Sequence, residues 1–187
     1  MFPGVRDTFN PVGGECRHFC RYCFIRSLKM YPELKKKYSG PVRLHPPAYK
    51  NLKNSKMEGF TVFVCDCTDL FAEDVTTEII DKVMDLCRAK NNEYLFLTKN
   101  PAGFRKATRW PDHFYAGITL ETNRDTSDIS MAPEPITRKN DYIKNVPKDA
   151  KRCISIEPIM AFDTTVFANI LEECAPERIY IGADSCG

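Results

Sequence analysis

From Phe60 onward, short runs of β-branched and aromatic residues alternate with segments whose apolar residues recur every three or four positions, and this alternation limits the fold more than any other feature. Phe60 to Cys65 reads as a strand, and Val75, Ile79, Ile80, Val83, Met84 and Cys87 trace one face of a helix. Tyr94 to Thr98 is the next strand, followed by a short helix opening at Pro101, a favoured first-turn residue. Tyr115 to Leu120, Cys153 to Ile156 and Ile179 to Ile181 supply three more strands, with helical patterns near Glu134 to Val146 and Thr164 to Cys174. Upstream, Thr8 to Val12 is a weaker first strand and Phe24 to about Tyr38 a helix, while Gly40 to Glu58, with Pro41, Pro46 and Pro47, is expected to be irregular. Six strands alternating with helices predict α/β architecture with parallel strands and right-handed crossovers. The expected form is a single domain over residues 1–187, a partial (β/α)6 TIM-like barrel with a cysteine loop after its first strand.

Parity along the later strands separates two faces. Ala116, Ile118 and Leu120 oppose Gly117, Thr119 and Glu121; Ile154 and Ile156 oppose Ser155 and Glu157; Ile179 and Ile181 oppose Tyr180, Gly182 and Asp184. If the wholly apolar face packs on helices, Glu121, Glu157 and Asp184 point inward at the C-terminal strand ends, where barrels of this kind build their sites.

The loop Cys16-Arg17-His18-Phe19-Cys20-Arg21-Tyr22-Cys23 carries the chemistry. Three thiolates within eight residues can hold three irons of a [4Fe-4S] cube while leaving the fourth iron without a protein ligand. Nine cysteines, an odd count, argue against a secreted disulfide framework. Cys87 and Cys174 fall on apolar helix faces and read as core residues. No run approaches a membrane span, and the N-terminus lacks a basic stretch followed by an apolar one, so a cytoplasmic protein with no membrane partner is expected. Net charge is +2, yet residues 1 to 56 carry 12 Lys and Arg against 3 Asp and Glu, and the remainder balances at −7. The basic third surrounds the cysteine loop and favours either a phosphate-bearing partner or, more plainly, a solvated helix bearing Lys29, Lys35, Lys36 and Lys37.

Asn10-Pro11-Val12-Gly13-Gly14-Glu15-Cys16 followed by Cys20, Tyr22 and Cys23 resembles the signature of the radical S-adenosylmethionine (radical SAM) superfamily. Together with the segments 63–71, 97–101, 117–123 and 155–158, it is similar to a group of phage-associated and microbial proteins related to spore photoproduct lyase. The resemblance implies that Cys16, Cys20 and Cys23 each bind one iron of a [4Fe-4S] cluster, and that S-adenosylmethionine occupies the fourth through its amino and carboxylate groups. Reductive cleavage would then yield a 5′-deoxyadenosyl radical that abstracts hydrogen from a substrate, with an electron donor of flavodoxin or ferredoxin type. It further implies Tyr22 near the adenine, Thr119 and Glu121 at the ribose hydroxyls, and Lys99 and Glu157 at cofactor or substrate. Many members hold the methionyl amino group with a Gly-Gly-Glu-like segment after the second strand. This chain has Cys65-Asp66-Cys67-Thr68-Asp69 there, so Asp66 or Thr68 would substitute. Cys65 and Cys67, expected on one strand face, are either a hydrogen-atom donor site or simply buried. Nucleic acid or nucleotide is the first substrate class expected.

The rival expectation is a zinc-binding module in which Cys16, Cys20, Cys23 and His18 or a distant side chain close a tetrahedral site and the basic segment binds nucleic acid without catalysis. No second Cys-x2-Cys pair accompanies the first. The chain stops at Asp184-Ser185-Cys186-Gly187, directly after the sixth strand, which raises the expectation of a C-terminal truncation.

Overall fold

The computed structural model describes residues 2, 4–48 and 58–183; Asp184 and Cys186, and residues 49–57 of the proline-rich connection, lie outside the described residues. Six parallel strands form one curled sheet in the order β1 (Val5–Phe9), β4 (Thr61–Val64), β5 (Glu93–Thr98), β6 (Phe114–Thr119), β7 (Lys151–Ile156) and β8 (Arg178–Ile181). Each strand lies beside its successor in this order, so the sheet winds in one direction into part of a barrel. Helices α3 (Thr77–Arg88), α4 (Pro135–Asn145) and α5 (Thr164–Cys174) and a 3-10 turn (Pro101–Lys106) provide the crossovers.

The start of α3 shows how local chemistry sets these boundaries. Thr76 caps the helix, its side chain accepting from the Ile79 N–H. Val75, expected inside the helix, lies just before this cap and is buried in the same apolar cluster as Ile80, the arrangement of a hydrophobic staple.

The first third departs from expectation. The first strand begins at Val5 and ends at Phe9, while Val12–Gly13 (β2) leaves the sheet and pairs antiparallel with Arg43–Leu44 (β3). The single helix expected from Phe24 to Tyr38 is two short ones, α1 (Ile25–Leu28) and α2 (Pro32–Lys37), because Pro32 cannot donate into a preceding turn and begins a new helix instead. Gly14, at φ +104°, runs so close to the α2–β3 connection that a Cβ would sit 2.5 Å from the Pro41 carbonyl oxygen. This packing sets the entry of the chain into the cysteine loop.

The parity reading holds for the middle strands. Ala116, Ile118, Ile154 and Ile156 join Val62, Val64, Tyr94 and Phe96 in the large cluster under the helices. The concave face carries a smaller cluster of Val5, Leu95, Tyr115, Cys153 and Tyr180. Gly117 is on that face; a Cβ there would fall on Cys153 Sγ and lie 2.8 Å from Leu97. In β8 the expectation fails: Ile179 and Ile181 are 44% and 68% exposed, since no described helix covers them.

Candidate active site

The C-terminal strand ends and the cysteine loop enclose a cavity of about 620 Å³. Cys16, Cys20 and Cys23 all line it, as do Tyr22, Asp66, Thr68, Lys99, Thr119, Glu157 and the pair Cys65 and Cys67. Among the described residues, no three His, Cys, Asp or Glu side chains converge on a point that one metal ion could occupy.

The cysteine loop is fastened to the sheet at two carboxylates and to one long connection. Asp69, after β4, receives the Phe71 N–H at 2.9 Å, the Lys99 N–H at 2.8 Å and the Thr98 hydroxyl. His18 Nε2 lies 2.7 Å from Asp69 Oδ2 and donates to it, since an ionised carboxylate only accepts. Burial works to raise the Asp69 pKa, but His18 and the backbone donors prevail and hold it below the ordinary carboxylate value. Lys106 Nζ pins the same turn by donating to the carbonyls of Ala72, Glu73 and Val75.

Glu121, after β6, is the second fastening. Tyr22 and Lys99 both donate to its Oε1, and Arg138 donates to Oε2 at 2.5 Å. Arg138, wholly buried in α4, also donates to the Thr119 and Pro133 carbonyls. Burial alone would raise the Glu121 pKa; Lys99 and Arg138 overcome it and bring it down to about 2. The connection 126–132 completes the frame: Arg21 donates its N–H to the Ile129 carbonyl at 2.9 Å and Met131 donates to the His18 carbonyl at 2.7 Å. Ser130 Oγ lies 3.2 Å from Cys20 Sγ.

Glu121 therefore corrects the parity reading. It is fully buried, does not line the cavity, and has both oxygens engaged, whereas Thr119 and Glu157 do reach the wall. Cys65 and Cys67 do not share a strand face, because β4 ends at Val64 and Cys65 takes a left-handed φ of +59°. Both still line the cavity. Burial, then neighbouring negative charge, raises both thiols, Cys65 well above its ordinary value and Cys67 to about 12, so each keeps its proton at neutral pH. Cys16 is pushed up to about 12 by burial and, secondarily, by Asp69.

Two acceptors stand out because they are unanswered. Asp66 Oδ1 and Thr68 Oγ1 are buried, belong to residues of the cavity wall, and have no hydrogen-bond partner among the described residues. A buried polar atom left unpaired costs about 1–3 kcal/mol, so the cavity is suited to a ligand that carries donors.

Of the lysines read as a solvated or substrate-facing stretch, Lys37 turns inward, where its Nζ donates to the Asn10 carbonyl at 2.9 Å, and Lys29 pairs with Glu15 at 2.6 Å. Arg138, Asp69 and Ser130 were not legible as site residues. Their only sequence signal is polarity at positions of an otherwise apolar face or turn, and charge alone does not show burial.

The model of the family described as "Protein of unknown function (DUF5131)" matches residues 5–166. No curated protein matches the chain. Among solved structures, a spore photoproduct lyase variant with bound AdoMet and dinucleoside spore photoproduct aligns at 14% identity and TM-score 0.64, covering 94% of this chain and 54% of that one. A second variant of the lyase aligns at 15% identity and TM-score 0.65, covering 92% and 54%. The lyase complexed with dinucleoside spore photoproduct aligns at 16% identity and TM-score 0.61, covering 88% and 50%. The chain thus shares the fold of these proteins and spans about half their length.

Proposed function

The chain belongs to the DUF5131 family, and from that premise and the geometry of the cavity we propose that it is a radical SAM enzyme. The observation that carries the reading is one cavity in which three cysteines of a Cys-x3-Cys-x2-Cys loop meet two buried acceptors without partners among the described residues, Asp66 Oδ1 and Thr68 Oγ1. Cys16, Cys20 and Cys23 would each hold one iron of a [4Fe-4S] cluster, leaving the fourth iron to S-adenosylmethionine. When bound, these two groups supply one-electron cleavage of the sulfonium and abstraction of a substrate hydrogen atom.

The protein's own part is binding, orientation and proton retention. Asp66 and Thr68 offer acceptors to an ammonium group, in place of the segment that other radical SAM proteins use. Lys99 spends one N–H on Glu121 and keeps others for a carboxylate or phosphate in the cavity. Tyr22 presents its ring to the cavity, with its hydroxyl tied to Glu121, and suits an adenine. Thr119 and Glu157 are the candidates for ribose hydroxyls or substrate, and Glu121 acts through Tyr22 and Lys99 as a positioning residue. Burial keeps the Cys65 and Cys67 thiols protonated, which a hydrogen-atom donor to a product radical requires, and either can take that role.

The basic N-terminal segment and the dinucleoside spore photoproduct bound by structural relatives favour a nucleic acid or nucleotide substrate. An external flavodoxin- or ferredoxin-type protein would deliver the electron. The decisive experiment is anaerobic reconstitution with iron and sulfide, reduction in the presence of S-adenosylmethionine, and assay for 5′-deoxyadenosine. Protein that carries a full cluster yet forms none ends the enzyme reading. A salt-dependent mobility shift on DNA supports the substrate class, and no binding at low salt rejects it.

A further inference from the structure

We infer that Ser130, 110 residues from the cysteine loop in sequence, is the hydrogen-bond donor that tunes the cluster through Cys20. The inference rests on the radical SAM reading and adds a residue to it. Ser130 Oγ lies 3.2 Å from Cys20 Sγ, and both side chains are buried, Ser130 with 6% of its surface exposed and Cys20 with 7%.

The direction of that bond follows from counting partners. Ser130 Oγ accepts the Ala132 N–H at 3.1 Å, which leaves its single proton to be placed. Two acceptors are in reach. The His18 carbonyl is the longer contact at 3.4 Å and already accepts the Met131 N–H at 2.7 Å. Cys20 Sγ is the other. As a thiol, Cys20 can itself donate to Ser130, and the hydroxyl proton then turns to the carbonyl. As an iron-bound thiolate it has no proton to give and bears negative charge, so the hydroxyl rotates and donates to sulfur. Ser130 therefore serves both states without moving its oxygen.

The position of Ser130 is built rather than incidental. The Ile129 and Ser130 N–H groups both donate to the Thr126 carbonyl, closing a tight turn, and the Thr126 N–H donates to Glu134 at the head of α4. The same segment is held at its far end by Arg138 on the Pro133 carbonyl. A hydroxyl buried at this depth is costly unless bonded, and the turn aims it at Cys20, the one cysteine of the three that is buried and not part-exposed. Hydrogen bonds to cluster sulfurs withdraw charge from iron and raise the reduction potential.

The test is a redox titration followed by electron paramagnetic resonance, on reconstituted wild-type, Ser130→Ala and Ser130→Thr proteins of matched iron and sulfide content. Ser130→Ala is expected to shift the midpoint potential to a more negative value, and Ser130→Thr to restore it. In the unmodified protein, the reduced cluster should show an exchangeable proton coupling by electron–nuclear double resonance that vanishes in D2O and is missing from Ser130→Ala. Equal potentials in wild type and Ser130→Ala, or a wild-type cluster without that coupling, overturn the inference while leaving the radical SAM reading intact. Wild-type protein that assembles no cluster overturns both.

Discussion

Asp69 and Glu121 do the same mechanical task by opposite chemistry. Each is a buried carboxylate just beyond a strand end, and each holds one residue of the cysteine loop, His18 in the first case and Tyr22 in the second. Asp69 is surrounded by backbone N–H groups, a hydroxyl and an imidazole, drawn from its own turn, the end of β5 and the cysteine loop. Glu121 is held by two full cations, Lys99 from beyond the end of β5 and Arg138 from α4. A carboxylate solvated by backbone dipoles can lose one donor and keep the rest. One held between buried cations loses a charge-assisted hydrogen bond when either of them is removed.

The largest break in the comparison is therefore expected at Arg138. Arg138→Met leaves Glu121 buried with one cation fewer and should lower stability by about 3–5 kcal/mol, read by urea or thermal unfolding. A loss comparable to that of an exposed substitution would show that the two carboxylates are equivalent after all. Acid unfolding sharpens the same point. Because the Glu121 pKa is depressed from 4.5 to about 2 on folding, its stabilisation is full above pH 4.5 and is lost as pH falls towards 2. The stability gap between wild type and Glu121→Gln should narrow over that window, and a gap constant from pH 6 to 2 would contradict the assignment.

Asp69→Asn comes next. The amide can still accept from Phe71 and Thr98, and His18 can change tautomer to accept from the new NH2, so only the Lys99 N–H is stranded. That costs roughly 1–3 kcal/mol, and cluster assembly should survive at reduced yield. Collapse of the fold would mean that the donors around Asp69 matter more than the cations around Glu121. Tyr22→Phe is the smallest change to either fastening. Losing one hydroxyl bond should cost about 0.5–1.5 kcal/mol while weakening S-adenosylmethionine binding, measured as a raised KM for 5′-deoxyadenosine formation. An unchanged KM would show that the hydroxyl bond to Glu121 does not position the Tyr22 ring for the cofactor.

The helix α4 shows why Arg138 was hidden from sequence reasoning. Its buried positions are Pro135, Arg138, Lys139 and Tyr142, while Ile136 and Ile143 are 48% and 40% exposed, so the helix turns charge inward and isoleucine outward. A hydrophobic-periodicity argument assumes the reverse. It fails here because the cost of burying guanidinium is offset by a carboxylate and two carbonyls contributed by β6 and the turn before the helix. By contrast, Ala116, Ile118, Ile154 and Ile156 were readable as a helix-covered face because strand alternation is a local property of the backbone and needs no knowledge of partners.

Residue order alone thus decided the strand and helix succession from β4 onward, the parity of the middle strands, and the cysteine spacing, since each depends on neighbours within a few positions. Only the folded chain decided that Glu121 is a buried brace and not a wall residue, that Cys65 leaves the strand in a left-handed turn, and that Ser130 meets Cys20. The first and the last turn on which groups meet across long stretches of chain, 99 positions between Tyr22 and Glu121 and 110 between Cys20 and Ser130. Pairings of that reach are set by three-dimensional packing and leave no periodic trace in the sequence.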